Sequence, residues 1–152
     1  FYFKNSKIYG ADINPDMFMY KADRVESLYV NSSSLSSIKN ELINKNIKFD
    51  IIIEDASHML KDQIISLFYL FPILNKGGYF IIEELDFPET REDMRVNHHA
   101  PDLKTILISV LEKKDFNSQY IDEKTKKYFL KNIEYIKINK GNMNEIAIIK
   151  KK

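Results

Sequence analysis

Short apolar runs alternate along the chain with stretches of helical periodicity. Lys7-Ile8-Tyr9-Gly10-Ala11-Asp12-Ile13 is rich in strand formers and closes at Asn14-Pro15, where the proline suits the first turn of a short helix. Ser27-Leu28-Tyr29-Val30-Asn31 predicts a second strand. The serines after it can cap a helix with apolar positions Leu35, Ile38 and Leu42, ended by the polar stretch Asn44 to Lys48. In Asp50-Ile51-Ile52-Ile53-Glu54-Asp55 three isoleucines are consecutive, the pattern of a central parallel strand covered on both faces. Ile64, Leu67, Phe68 and Phe71 fall at i, i+3, i+4 and i+7 and predict a helix lying on the sheet, with Lys61, Asp62 and Gln63 as its polar first turn. Breakers between Pro72 and Gly78 end it, and Tyr79-Phe80-Ile81-Ile82-Glu83-Glu84 reads as another buried strand.

Beyond it, Asp86 to Asp102 holds two prolines and two histidines without periodicity, a length suited to a functional loop or lid. Leu103, Ile106, Leu107, Val110 and Leu111 then repeat at helical spacing, and a further helix is expected near Asp122 to Lys131. Ile133 to Ile138 and Glu145 to Ile149 form a hairpin candidate through Asn139-Lys140-Gly141-Asn142. This order predicts one α/β domain over residues 1–152, with a mostly parallel sheet and a C-terminal antiparallel hairpin.

Composition narrows the chemistry. At 152 residues and 44% hydrophobic content the chain supports one core. With 23 Lys and Arg against 22 Asp and Glu it carries almost no net field, which argues against nucleic-acid or membrane-surface binding and favours a small-molecule partner. Neither a monomer nor a homo-oligomer is excluded. The absence of cysteine removes thiolate catalysis and Cys-based zinc, leaves oxygen ligands or histidine for a metal, and fits a cytoplasmic setting. No apolar run approaches the roughly 20 residues of a spanning helix, and the N-terminus lacks the order of a signal peptide.

Parallel sheets bind ligands at the carboxyl ends of their strands. Three strands here end in acids: Asp12, Asp55 and the pair Glu83-Glu84. A lone strand-end carboxylate is more often solvated or a helix cap, but adjacent strands lie about 4.8 Å apart, so Asp55 and Glu83 or Glu84 can converge on one cation. Oxygen donors suit magnesium, calcium or manganese and leave positions for water and substrate. In a regular strand Glu83 and Glu84 point to opposite faces, so both bind only if the strand has already ended. His58, in the turn after Asp55, can reach a substrate held there, and histidine is a residue type that takes up a proton near neutral pH. His98 and His99 in the long stretch are weaker candidates for a substrate or metal role.

These residues resemble a known family. Phe49-Asp50-Ile51-Ile52-Ile53-Glu54-Asp55-Ala56-Ser57-His58, the helix through Leu70-Phe71-Pro72, and Gly77-Gly78-Tyr79-Phe80-Ile81-Ile82-Glu83-Glu84 are similar to the class I methyltransferases that include the macrolide sugar O-methyltransferases and the cephalosporin-hydroxylase-like group. Tyr2 to Asp12 is similar to that family's second strand and its approach, and the likeness covers residues 1–85. The resemblance implies a Rossmann-like fold, S-adenosylmethionine and Mg²⁺ as cofactors, and O-methylation of a hydroxylated small molecule such as a sugar or sugar-bearing metabolite. It implies that Asp55, Glu83 and Glu84 hold the metal and that His58 is the catalytic base. Asp12 is implied at the cofactor ribose, with Asn31, Ser32 and Asp55 completing the cofactor side.

Three positions depart from the family: Ala56 replaces a usual glycine, Glu84 a usual aspartate, and Asn31 a frequent acid. The family's first strand and glycine-rich loop have no counterpart among these residues. The sheet is therefore expected to show a gap or rearrangement between the Asp12 and Asp55 strands, and the chain to bind the cofactor poorly. A nucleotide-dependent oxidoreductase is a rival reading of the Asp12 strand, and a non-catalytic binding or assembly module is a rival outside enzymology.

Overall fold

The computed structural model describes residues 4–14, 16, 22–96 and 98–152. Strand β1 (Ile8–Asp12) pairs in parallel with β2 (Val25–Tyr29), Ile8 opposite Val25 and Asp12 opposite Tyr29. The helix expected from Pro15 onward lies outside the described residues. Ser34 caps α1 (Leu35–Ile38), its hydroxyl accepting the Ser37 N–H at 3.3 Å, as the serine cluster predicts. The helix runs on as a wider turn, Lys39–Ile43, in which the Asn44 N–H donates to Lys39 O.

A second sheet holds β3 (Phe49–Glu54), β4 (Leu74–Ile82), β5 (Ile133–Lys140) and β6 (Glu145–Lys151) in the order β3-β4-β6-β5. β3 and β4 are parallel, and β6 is antiparallel to both its neighbours, so the expected hairpin is present. β4 starts earlier than its hydrophobic pattern indicates. The register shifts between the pairs Phe49–Leu74 and Ile51–Tyr79, and the glycines expected to end the preceding helix build this irregular entry. Gly77 is left-handed at φ 75°, and a Cβ on Gly78 would meet Asn75 O and Asp50 O at 2.9 Å.

One face of this sheet is covered by α2 (Leu60–Leu70), which packs on β3 and β4 and against α4 (Leu103–Lys113) and α5 (Glu123–Asn132). Leu60, Ile64 and Leu67 meet Phe80, Ile82, Ala147 and Ile149 in the fully buried core, each larger side chain contributing about 1.5–3 kcal/mol. Phe68 stacks on Phe116 at 4.9 Å and meets Phe129 edge-on at 4.7 Å, joining α2 to α5. Asp102 and Asp122 accept the Thr105 and Thr125 N–H groups and cap α4 and α5.

The opposite face differs from the expectation for three consecutive isoleucines. Strand alternation turns Ile52 and Glu54 toward α2 and leaves Ile51 and Ile53 41% and 58% exposed, because no described element covers them. Among the described residues β3 is also an edge strand, not a central one. β1 and β3 belong to different sheets and flank a cavity of about 680 Å³, so the interruption expected between the Asp12 and Asp55 strands is present. Tyr9 of β1 and Phe49 of β3 meet edge-to-face at 5.4 Å beside it.

The segment from Asp86 to Asp102 contains a helical turn, α3 (Phe87–Thr90), and a tighter turn at Glu92–Met94. Arg95 pins it by donating to Pro88 O at 2.9 Å, to Ala100 O at 3.0 Å and to the buried Asp102 carboxylate at 3.3 Å. Among the described residues no helix is long and apolar enough to cross a membrane.

Candidate active site

The carboxyl ends of β3 and β4 bring three ligating side chains together. Asp55 follows β3 directly, and His58 stands in the turn before α2 with its backbone left-handed at φ 56°. β4 ends at Ile82, and Glu83 adds one more rung to the ladder, its N–H donating to Glu54 O at 3.0 Å. Glu84 then turns left-handed at φ 51°, which frees its side chain from strand alternation. Its Oε2 lies 2.8 Å from His58 Nε2, and Asp55 Oδ1 lies 3.6 Å from the same nitrogen. Ligand atoms of Asp55, His58 and Glu84 all fall within 4.8 Å of one another. Glu83 is not in this set, so of the acidic pair the geometry brings Glu84 to Asp55.

Two carboxylates and an imidazole at this separation form a mixed oxygen and nitrogen donor set, which suits a hard or borderline divalent cation. The Asp55 side chain is 58% exposed while His58 is 16% exposed, so the cluster opens to incoming molecules on the aspartate side. The Phe87 ring meets the His58 ring edge-on at 5.5 Å, so the Asp86 to Asp102 segment walls the imidazole. His58 Nδ1 is buried without a protein partner among the described residues.

The cavity between the two sheets adjoins this cluster and is lined by Asp12, Asn31, Ser32 and Asp55, the four residues expected on the cofactor side. Its size lies in the range of small-molecule sites. Asp12 accepts the Asn14 N–H at 2.7 Å, and Asn31 accepts the Ser33 N–H at 3.0 Å, which fixes both loops at its rim. His98 stands apart from the cluster. Its Nδ1 lies 2.7 Å from the Tyr120 hydroxyl and ties the long segment to the region after α4. His99 is exposed.

Three buried polar residues near the cluster escape the sequence reading. Asp62, 4% exposed, accepts hydroxyl hydrogen bonds from Ser33 after β2 and from Ser57 after β3, so one carboxylate joins the rims of both sheets. Gln63, fully buried, donates from Nε2 to Glu84 O at 3.1 Å. A signal exists for Gln63: it lies at i+3 from Leu60 and i−4 from Leu67, a polar residue on the apolar stripe.

Glu54 is the third, its carboxylate oxygens buried without a hydrogen-bond partner among the described residues. Burial pushes its carboxyl up to about 7, the Asp62 and Asp55 charges adding to the rise and the Ala56 backbone amide opposing it. The folded protein thus holds this proton to higher pH than the unfolded chain does. The associated stability is complete below the ordinary value of 4.5 and is lost as pH rises through about 7. Glu54→Gln stays neutral, so its stability relative to wild type should rise from about pH 5 to pH 8, by roughly 3 kcal/mol at most. Urea unfolding at the two pH values measures this, and a pH-independent difference would contradict it.

This layered α/β arrangement, with acids gathered at its strand ends, is similar in fold to solved methyltransferases. The structure matches the mycinamycin-pathway methyltransferase MycE, solved with Mg and SAH, at a TM-score of 0.69 and 20% identity, over 95% of this chain and 37% of that one. A second MycE structure, which also holds mycinamycin VI, matches at 0.68 and 20% identity, over 95% of this chain and 36% of that one.

In sequence the likeness is to sugar O-methyltransferases. The chain is 32% identical over 84 residues to the 8-demethyl-8-alpha-L-rhamnosyl tetracenomycin-C 2'-O-methyltransferase of Streptomyces olivaceus, covering 55% of this chain and 22% of that protein. It is 30% identical over 84 residues to the corresponding 3'-O-methyltransferase acting on the 2-methoxy-rhamnosyl compound in the same organism, covering 55% and 21%. The matched part thus spans about a fifth of these relatives' length. No protein-family model matches the chain.

Proposed function

We propose that this chain is the metal and acceptor side of an S-adenosylmethionine-dependent O-methyltransferase acting on a hydroxylated small molecule, a sugar or sugar-bearing metabolite. The observation that carries the reading is the convergence of Asp55, His58 and Glu84 beside a cavity lined by Asp12, Asn31 and Ser32. Sequence likeness to two rhamnosyl O-methyltransferases supports the sugar as acceptor. The cysteine-free composition agrees with a reducing, cytoplasmic setting.

Asp55 and Glu84, with Glu83 adjacent, would hold Mg²⁺, and Asp12, Asn31 and Ser32 supply oxygen and amide groups for the ribose and adenine of the cofactor. When bound, the metal supplies positive charge that eases ionisation of an acceptor hydroxyl. His58 takes that hydroxyl proton at Nε2. When bound, S-adenosylmethionine would supply the methyl group, its carbon–sulfur bond breaking as the acceptor oxygen bonds to the methyl carbon and S-adenosylhomocysteine being left. Phe87 keeps water from one side of the imidazole, and the reaction needs no protein nucleophile.

The test is transfer of a labelled methyl group from S-adenosylmethionine, supplied at saturation so that weak cofactor binding does not limit it, to rhamnosyl and other glycoside acceptors with Mg²⁺ present. Label appearing as a base-stable sugar methyl ether is the expected result. Absence of transfer across such a panel, with the protein folded, would overturn the proposal in favour of a binding or assembly module.

A further inference from the structure

Gln63 is wholly buried on the stripe of α2 that carries Leu60, Ile64 and Leu67, where an apolar side chain is the generic choice. A buried amide in such a place is costly unless its hydrogen bonds are made. Of its two polar groups only Nε2 is partnered, because Oε1 has no partner among the described residues. The bond that is made, from Nε2 to Glu84 O, ends on the one residue of the acidic pair whose carboxylate reaches His58 and Asp55. Glu84 is also a non-glycine residue held left-handed, a conformation that persists only where its surroundings enforce it.

We propose that Gln63 is a positioning residue for the metal site: its amide clamps the Glu84 carbonyl, and so holds the Glu84 backbone in the turn that aims the carboxylate at Asp55 and His58. This role rests on the reading of Asp55 and Glu84 as the carboxylates of a cation site beside His58. Groups that hold a ligating carboxylate in place act on affinity without touching the metal, and their loss typically weakens binding by about 10–100-fold. Stability should move the other way. The Glu84 carbonyl also accepts the Phe87 N–H at 3.1 Å, so replacing the half-satisfied amide with an apolar side chain of similar length leaves that acceptor paired and the core intact.

The experiment is calorimetric titration of Mg²⁺ and of Mn²⁺ into the folded wild-type protein and the variants Gln63→Met and Gln63→Leu, with thermal unfolding of each recorded without metal. Expected are at least about tenfold weaker metal binding in both variants and midpoints equal to or above wild type. Variants that bind metal within about twofold of wild type would overturn the clamp while leaving the cation site standing. Variants that cannot fold would also overturn it, by making Gln63 a structural residue. A folded wild type that binds neither metal would overturn the cation-site reading itself, and the clamp with it.

Discussion

His58→Ala is expected to lower methyl transfer by about 10²-fold or more, the contribution typical of a well-placed general base. The loss should persist at saturating Mg²⁺. That condition separates two roles the geometry allows, because His58 Nε2 lies 2.8 Å from Glu84 and 3.6 Å from Asp55 and could serve as a base or as a third metal ligand. Were it only a ligand, raising the metal concentration would refill the weakened site and recover most of the rate. Were it the base, a full metal site would still lack a proton acceptor, and the turnover number would stay low while the acceptor KM changed little. Full recovery with excess metal would therefore remove His58 from proton transfer.

How much of this is legible in the sequence depends on whether a feature is local. The cap from the serine cluster, the strands leading to Asp12 and Asp55, and the C-terminal hairpin follow from turn chemistry and periodicity, which act over a few residues. The isoleucine run of β3 shows the limit. Its composition reports what a strand is suited to be covered by, whereas Ile51 and Ile53 are exposed because no described element packs on that side. Asp62 and Gln63 read simply as part of a polar first turn, because polar residues commonly open a helix. Their burial follows from the rims of two sheets closing over them, through Ser33, Ser57 and Glu84, which no local pattern encodes. The choice between Glu83 and Glu84 is hidden for the same reason: it turns on one left-handed residue after the last ladder rung.

That choice sets the second large expected effect. Removing the metal with EDTA should lower the rate by on the order of 10²–10³-fold, since a Lewis-acid cation contributes several kcal/mol of transition-state stabilisation, and added Mg²⁺ should restore it. Asp55→Ala and Glu84→Ala should reproduce the effect of chelation and make the rate nearly indifferent to EDTA, because their oxygens are the carboxylates of the converging set. Glu83→Ala should cost much less. Its backbone N–H, which completes the β3–β4 ladder at Glu54 O, survives the substitution, and its side chain stands outside the cluster. The three variants assayed side by side over a range of Mg²⁺ rank the acids directly. A Glu83→Ala loss as large as that of Glu84→Ala would mean that the loaded site draws on both, with the left-handed turn relaxing when the metal binds. A wild-type rate unmoved by EDTA would instead leave His58 and its two carboxylates as a metal-free proton relay.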